Sequence, residues 1–138
     1  MRITAEVDNS LGVHVARVTT EGVSQTVAVA SRASGYGSSL NGGELLFLAV
    51  ATCYCNDIYR EAKKRGLEVT RVTVDVEGDF GAEGEPARNV RYRARVASKA
   101  HEDAVRDLML ATDRLAEIHN SLRVGTQVEL AGIEVDPD

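Results

Sequence analysis

The longest uninterrupted pattern in the chain lies at residues 44–65, a stretch of 22 residues that contains neither glycine nor proline. It predicts one long helix. Asn41, followed three residues later by Glu44, is typical of a helix start at which side chains and backbone amides pair reciprocally. Gly66 follows a basic last turn, as is typical of a helix end. Residues 45–51 are apolar on every side, which predicts that the N-terminal half is surrounded by protein and that the C-terminal half emerges toward solvent.

Apolar and polar residues alternate before this helix, with the period of half-buried strands. Segments 3–7 and 13–15 flank turn-forming residues and predict a hairpin, and a third strand is predicted at 26–30. Residues 31–43 are rich in glycine and serine and predict a loop. This loop brings Arg32 and Tyr36 toward the start of the long helix.

After the helix, alternation predicts two one-sided strands at 72–77 and 90–96, an amphipathic helix at 102–119 and a last strand at 124–135. One strand carries three arginines that could grip a phosphate, but acids lie on the matching face of its neighbour, so we expect cross-strand ion pairs. The residues concerned are Arg91, Arg93 and Arg95 against Thr73, Asp75 and Glu77.

Strands and helices are grouped rather than strictly alternating, in the order β-β-β-α-β-β-α-β. This order favours the α+β class with antiparallel pairing. A chain of 138 residues with 43% apolar residues can bury one core, so we expect a single domain over residues 1–138. A small sheet leaves the all-round apolar part of the long helix under-covered, and a homodimer would complete its burial.

Composition excludes several kinds of partner. A formal charge of −5 would repel nucleic acid and anionic membranes, and the absence of tryptophan leaves little surface for base stacking. We find no signal segment at the N-terminus and no apolar run of about 18 residues, so a cytoplasmic location is expected. Two cysteines within one helix do not form a secretory disulfide framework.

Cys53 and Cys55 are the candidate nucleophiles, but both lie well inside the long helix, so activation must come from elsewhere in the fold. The i+4 neighbour of Cys53 is Asp57, whose charge would raise the thiol pKa. Two residues along a helix correspond to a rotation of about 200°, so the two thiols point to opposite sides. A disulfide between them within one intact helix is therefore excluded, whereas Cys55 could still meet an oxidised cysteine across a dimer. A metal site that combines the two cysteines with His14, His101 or His119 is not expected. A mid-helix cysteine among apolar residues is also typical of core packing.

Residues 41–53, NGGELLFLAVATC, and residues 116–123, AEIHNSLR, form two signatures. The first resembles the Asn-Pro-Glu-Glu-Leu, apolar run and small-small-Cys pattern that opens the central helix of the OsmC/Ohr family, the osmotically induced and organic-hydroperoxide-resistance proteins. The second is similar to that family's Cys-Pro-Val-Ser-Asn-Ser-Leu pattern. The predicted order of elements is also the family's.

The resemblance implies an OsmC-like fold in an intertwined homodimer and a peroxidatic cysteine that reduces organic hydroperoxides. Cys53 matches the peroxidatic position, Arg32 matches the loop arginine that meets the thiolate, and Glu44 matches one of two acids near that arginine. Cys55, His119 and Tyr36 are possible accessory residues of the pocket. No metal and no other cofactor is implied.

The chain departs from the family pattern at three positions. Ala116 occupies the position of the resolving cysteine, so the usual intramolecular disulfide cannot form. Gly43 occupies the place of the acid that orients the arginine, and Cys55 is an additional thiol.

Two hypotheses of different classes follow. In the first, the chain is a stress-related, thiol-dependent peroxidase in which Cys53 attacks an organic hydroperoxide and an external thiol restores it. In the second, it is a degenerate member of the family that binds a small apolar or electrophilic ligand. A Cys53 pKa near that of a free thiol, about 8.5, would favour the second hypothesis.

Overall fold

A meander of three antiparallel strands opens the chain in the computed structural model, which describes residues 1–137. The strands β1 (Ile3–Ser10), β2 (Val13–Thr20) and β3 (Val23–Val27) pair in the order β1-β2-β3. Gly12 and Gly22 allow the two tight turns, because both have a positive φ, 73° and 79°. The hairpin is confirmed, and β3 begins earlier than predicted because the second turn leads directly into it.

The described residues divide into two compact units. The first, Met1–Leu46, holds β1 to β3 and the following loop, and the second begins at Phe47. The boundary therefore falls inside the long helix. A single domain over residues 1–138 stays a prediction.

The long helix α1 (Gly42–Lys64) begins and ends where the local signals indicated. The Glu44 N–H donates to Asn41 Oδ1 at 2.8 Å, and the Asn41 N–H donates to Glu44 Oε1 at 3.2 Å. At the other end Gly66 has φ 65°, and the Leu67 N–H donates to the Ala62 carbonyl at 2.9 Å. Both the reciprocal N-cap and the glycine C-cap are confirmed.

The second unit contains β4 (Val69–Asp79), β5 (Arg88–Ser98), α2 (Glu102–Leu115) and α3 (Glu117–Val124). β4 and β5 pair antiparallel, and an ion pair of 2.9 Å joins Arg91 to Glu77 directly across the register. This contact confirms the predicted cross-strand pairing at that position. The core of the unit is a cluster of buried residues from α1 and α2, namely Tyr54, Ile58, Ala62 and Leu108, against which strand valines pack.

The prediction that the C-terminal half of α1 emerges toward solvent was wrong, because the buried residues of α1 lie from Val50 onward and include Asp57 and Glu61. Leu48 is 57% exposed in the described chain, and burial of the N-terminal half by a second chain stays a prediction. The two buried acids are tolerated because Arg60 pairs with both and Lys64 pairs with Glu61. The face that carries them can therefore pack inward although it looks polar.

The predicted helix at 102–119 is interrupted. Ala116 separates α2 from α3 in an extended conformation, with φ −66° and ψ 109°, and α3 continues to Val124. The prediction of a last strand at 124–135 was therefore wrong. Residues 126–137 have no regular secondary structure and are exposed. Within the described chain no strand edge pairs with this segment. The α+β class is confirmed, and so is the order of the first seven elements up to α2.

A helix that crosses a bilayer needs about 20 predominantly apolar residues, and the helices of this chain can be judged by that requirement. None of those formed by residues 1–137 has both the length and the hydrophobicity needed to cross a membrane.

Candidate functional site

The Cys53 thiol lies between α1 and the start of α3, next to two carboxylates. Its Sγ is 3.6 Å from Oδ2 of Asp57, one helical turn further along α1, and 3.9 Å from Oε2 of Glu117 on α3. The thiol is free and only partly buried. It does not belong to the buried core cluster of the second unit.

Arg60 organises the two carboxylates. Its Nη1 lies 3.1 Å from Oδ1 of Asp57 and 3.2 Å from Oε1 of Glu117. One oxygen of each carboxylate is thus bound to the guanidinium, and the other oxygen faces the sulfur. Cys53, Asp57 and Arg60 share one face of α1, since they are four and three residues apart.

This environment does not favour a thiolate. Burial raises the pKa of Cys53, and the charges of Asp57 and Glu117 raise it further, while the backbone amide of Ile118 acts in the opposite direction. The arginine contacts at the site involve the carboxylates rather than the sulfur.

The two carboxyl groups differ in acidity. Burial raises the pKa of Asp57, and its contact with Glu117 adds to that shift, although the Arg60 charge opposes it. The pKa of Glu117 is lowered by its own backbone amide and by Asp57 and Arg60.

Three possible metal donors meet at this place. Cys53 Sγ and one oxygen each of Asp57 and Glu117 lie within 4.8 Å of one another, and no histidine belongs to this grouping in the described part of the chain. Arg60 already supplies a positive charge to both carboxylates. We therefore assign no metal to the cluster.

Cys55 faces a different part of the unit. It lines a shallow groove of about 260 Å³ between α1 and β4, together with Ala51, Thr52, Asn56 and Val74. The two thiols lie on different sides of α1, as the spacing predicted. A catalytic part for Cys55 stays a prediction.

His119 is buried in the second unit, with 5% of its surface exposed. Its ring lies 4.7 Å from that of Tyr92, edge to face, and 6.0 Å from that of Tyr54. Neither ring nitrogen has a hydrogen-bond partner among the described residues. Burial lowers the pKa of His119, the Arg123 charge lowers it further, and the Asp113 charge opposes both. A place for His119 in a substrate pocket stays a prediction.

The remaining residues expected at the site belong to the first unit. Arg32 and Tyr36 are exposed in the loop before α1, and Arg32 Nε donates to the Ser38 carbonyl at 3.4 Å. Glu44 is the capping carboxylate of α1. The meeting of Arg32 with Cys53, and a catalytic part for Glu44 or Tyr36, stay predictions.

From the sequence, Asp57 was considered only as a charge that would raise the pKa of Cys53, and Arg60 and Glu117 were missed. The spacing of Asp57 and Arg60 from Cys53 was a usable signal, because i+4 and i+7 positions share a helix face. Glu117 had a weaker signal, its position directly after Ala116. Ala116 itself is fully buried.

The chain was compared with known proteins. Residues 35–131 match the family model described as OsmC-like protein. Among solved structures, the fold is similar to an OsmC-like protein from Mycoplasma pneumoniae, with a TM-score of 0.61 and 14% identity over 88% of this chain and 86% of that one. It is also similar to an OsmC-like protein of unknown function from Vibrio cholerae, with a TM-score of 0.60 and 14% identity over 88% and 93% of the two chains. No curated protein matches the sequence.

Proposed function

The chain belongs to the OsmC-like protein family, and on this premise we propose that it reduces organic hydroperoxides through Cys53 and is regenerated by an external thiol. The observation that supports this proposal best is the state of Cys53. It is a free, partly buried thiol that contacts polar groups and lies outside the apolar core cluster. A cysteine that serves only as core packing behaves as a small apolar side chain, and this placement differs from that role.

The reaction takes three steps. Cys53 sulfur attacks the terminal oxygen of the hydroperoxide, the O–O bond breaks, and the products are a Cys53 sulfenic acid and an alcohol. Because position 116 is a buried alanine, no cysteine there can resolve the sulfenic acid. One external thiol then forms a mixed disulfide and releases water, and a second thiol restores Cys53.

Steady-state turnover tests the proposal. Cumene hydroperoxide or tert-butyl hydroperoxide should be consumed with a dithiol reductant by the wild type and by Cys55→Ser, but not by Cys53→Ser. The Cys55 variant is a matched control, because it removes the other thiol of the same helix. Absence of wild-type turnover would end the proposal.

We further propose that the protein acts in the cytoplasm as a homodimer. The support for the dimer is apolar surface on the N-terminal half of α1, where Leu45 is 38% and Leu48 57% exposed. Such surface is typical of an interface between chains. Sedimentation analysis that finds only monomer at micromolar concentration would contradict this proposal.

One observation favours the second candidate, a degenerate member that binds a small apolar or electrophilic ligand. The pKa of Cys53 is raised rather than lowered, which reduces the thiolate available at neutral pH. This candidate predicts stoichiometric capture of an electrophile at Cys53 without release of product. Multiple turnovers of a hydroperoxide would contradict it.

A further inference from the structure

The carboxylates of Asp57 and Glu117 each direct one oxygen toward Arg60 and the other toward the Cys53 sulfur. Oδ1 of Asp57 and Oε1 of Glu117 bind Arg60 at 3.1 and 3.2 Å. Oδ2 and Oε2 face the Cys53 sulfur at 3.6 and 3.9 Å. The guanidinium therefore leaves one oxygen of each acid available to the thiol proton.

We propose that Asp57 is a catalytic residue that takes the thiol proton as sulfur attacks and returns it to the leaving alkoxide, with Arg60 and Glu117 as the groups that position it. This inference rests on the proposed function. In the step, the S–H proton moves to Oδ2 while the S–O bond forms and the O–O bond breaks. The same proton then passes from Asp57 to the alkoxide, so that a sulfenic acid and a neutral alcohol result and Asp57 is again ionised.

Three features select Asp57 over Glu117. Its carboxylate has the shorter contact with the sulfur. Its side chain is 9% exposed, whereas that of Glu117 is 65% exposed, so bulk water competes less for its proton. The pKa of Asp57 is raised by burial, which moves this carboxyl toward the range in which it can donate to an alkoxide.

The relay also explains how a thiol in an anionic environment could react at neutral pH. The groups that face Cys53 are Asp57 on α1 and, on α3, Glu117 and the Ile118 amide, with Arg60 behind the two acids. With a base in contact, the thiol need not ionise before the attack. An alkyl hydroperoxide, whose leaving alkoxide is strongly basic, benefits most from an acid at this position.

The test compares two oxidants on the same variant. In a Cys55→Ser background, Asp57→Asn is measured with tert-butyl hydroperoxide and with peracetic acid, whose leaving acetate is a stable anion and needs no proton. Consumption of tert-butyl hydroperoxide should fall at least about tenfold, because general acid–base catalysis typically contributes 10²–10⁴-fold. Consumption of peracetic acid should fall by a smaller factor, because Asp57→Asn removes the base from both reactions, whereas the proton donor matters only for the leaving alkoxide. Alkylation by iodoacetamide, which follows the thiolate fraction, should be unchanged or a few-fold faster, because the variant removes a charge that raises the thiol pKa.

Both oxidants are measured on one preparation, so the folded fraction cancels from the ratio of the tert-butyl hydroperoxide rate to the peracetic acid rate. Glu61→Gln is the matched control. Glu61 is also a buried acid on α1 paired with Arg60, but the sulfur is not among its contacts, and its ratio should equal that of the parent. If Asp57→Asn does not fold, Arg60→Gln replaces it and should lower the ratio by a smaller factor.

An equal change for the two oxidants in Asp57→Asn, in either direction, would overturn the relay and leave the proposed function intact. Absence of parent turnover with both oxidants would end both proposals. A selective loss with tert-butyl hydroperoxide supports the relay.

Discussion

Glu117→Gln should lower the pKa of Cys53. The variant keeps the size and polarity of the side chain and removes one negative charge 3.9 Å from the sulfur. That charge, together with Asp57, opposes ionisation of the thiol. Loss of the Glu117 charge should therefore increase the thiolate fraction of Cys53 at any pH below the pKa of Cys53.

The size of the effect follows from the distance and the exposure. Two unit charges 4 Å apart interact by about 1 kcal/mol in water and by about 4 kcal/mol at an effective dielectric constant of about 20. Because the Glu117 side chain is 65% exposed, the lower figure applies. One pKa unit corresponds to about 1.4 kcal/mol, so we expect a decrease of about 0.7 unit and about fivefold faster alkylation at neutral pH.

The assay is the pH dependence of iodoacetamide alkylation in a Cys55→Ser background, followed by mass spectrometry. Glu102→Gln is the control, because it removes an exposed glutamate that pairs with Arg106 on α2. The difference between Glu117→Gln and its parent should shrink in about 1 M salt, where the Debye length is about 3 Å. An unchanged or higher Cys53 pKa in Glu117→Gln would refute the electrostatic reasoning.

Two further predictions concern stability. Ile58→Ala should lower the free energy of unfolding by about 3 kcal/mol in urea titrations, because Ile58 is fully buried in the core cluster; a loss below about 1 kcal/mol would contradict this packing. His119 has a lowered pKa in the folded state, so its contribution is fully present above the unfolded value of about 6.5 and decreases as the pH falls below it. The wild type should therefore lose more stability between pH 7 and pH 5 than His119→Gln, and equal losses would count against burial of a neutral ring.

The ends of α1 could be predicted from the sequence because caps are local. Asn41, Glu44 and Gly66 act within a few residues of each helix end, so their spacing was sufficient. The buried face of α1 could not be predicted in the same way. Asp57 and Glu61 look like surface residues until the cations that pair with them are placed.

The candidate site could be predicted only in part. Cys53 and its neighbour at i+4 were visible, since both lie on one helix. Glu117 reaches the sulfur from a segment 64 residues away, after a break at Ala116 that hydrophobic periodicity did not show. The periodicity indicated a continuous helix, because α2 and α3 are both amphipathic and only one residue separates them.

The most direct test of the account is trapping of the first intermediate. One equivalent of cumene hydroperoxide is added to the reduced protein together with dimedone, and the labelled residue is identified by mass spectrometry. The account predicts a dimedone adduct on Cys53, none on Cys55, and one equivalent of alcohol released. Label on Cys55 alone, or consumption of the hydroperoxide that persists in Cys53→Ser, would contradict it.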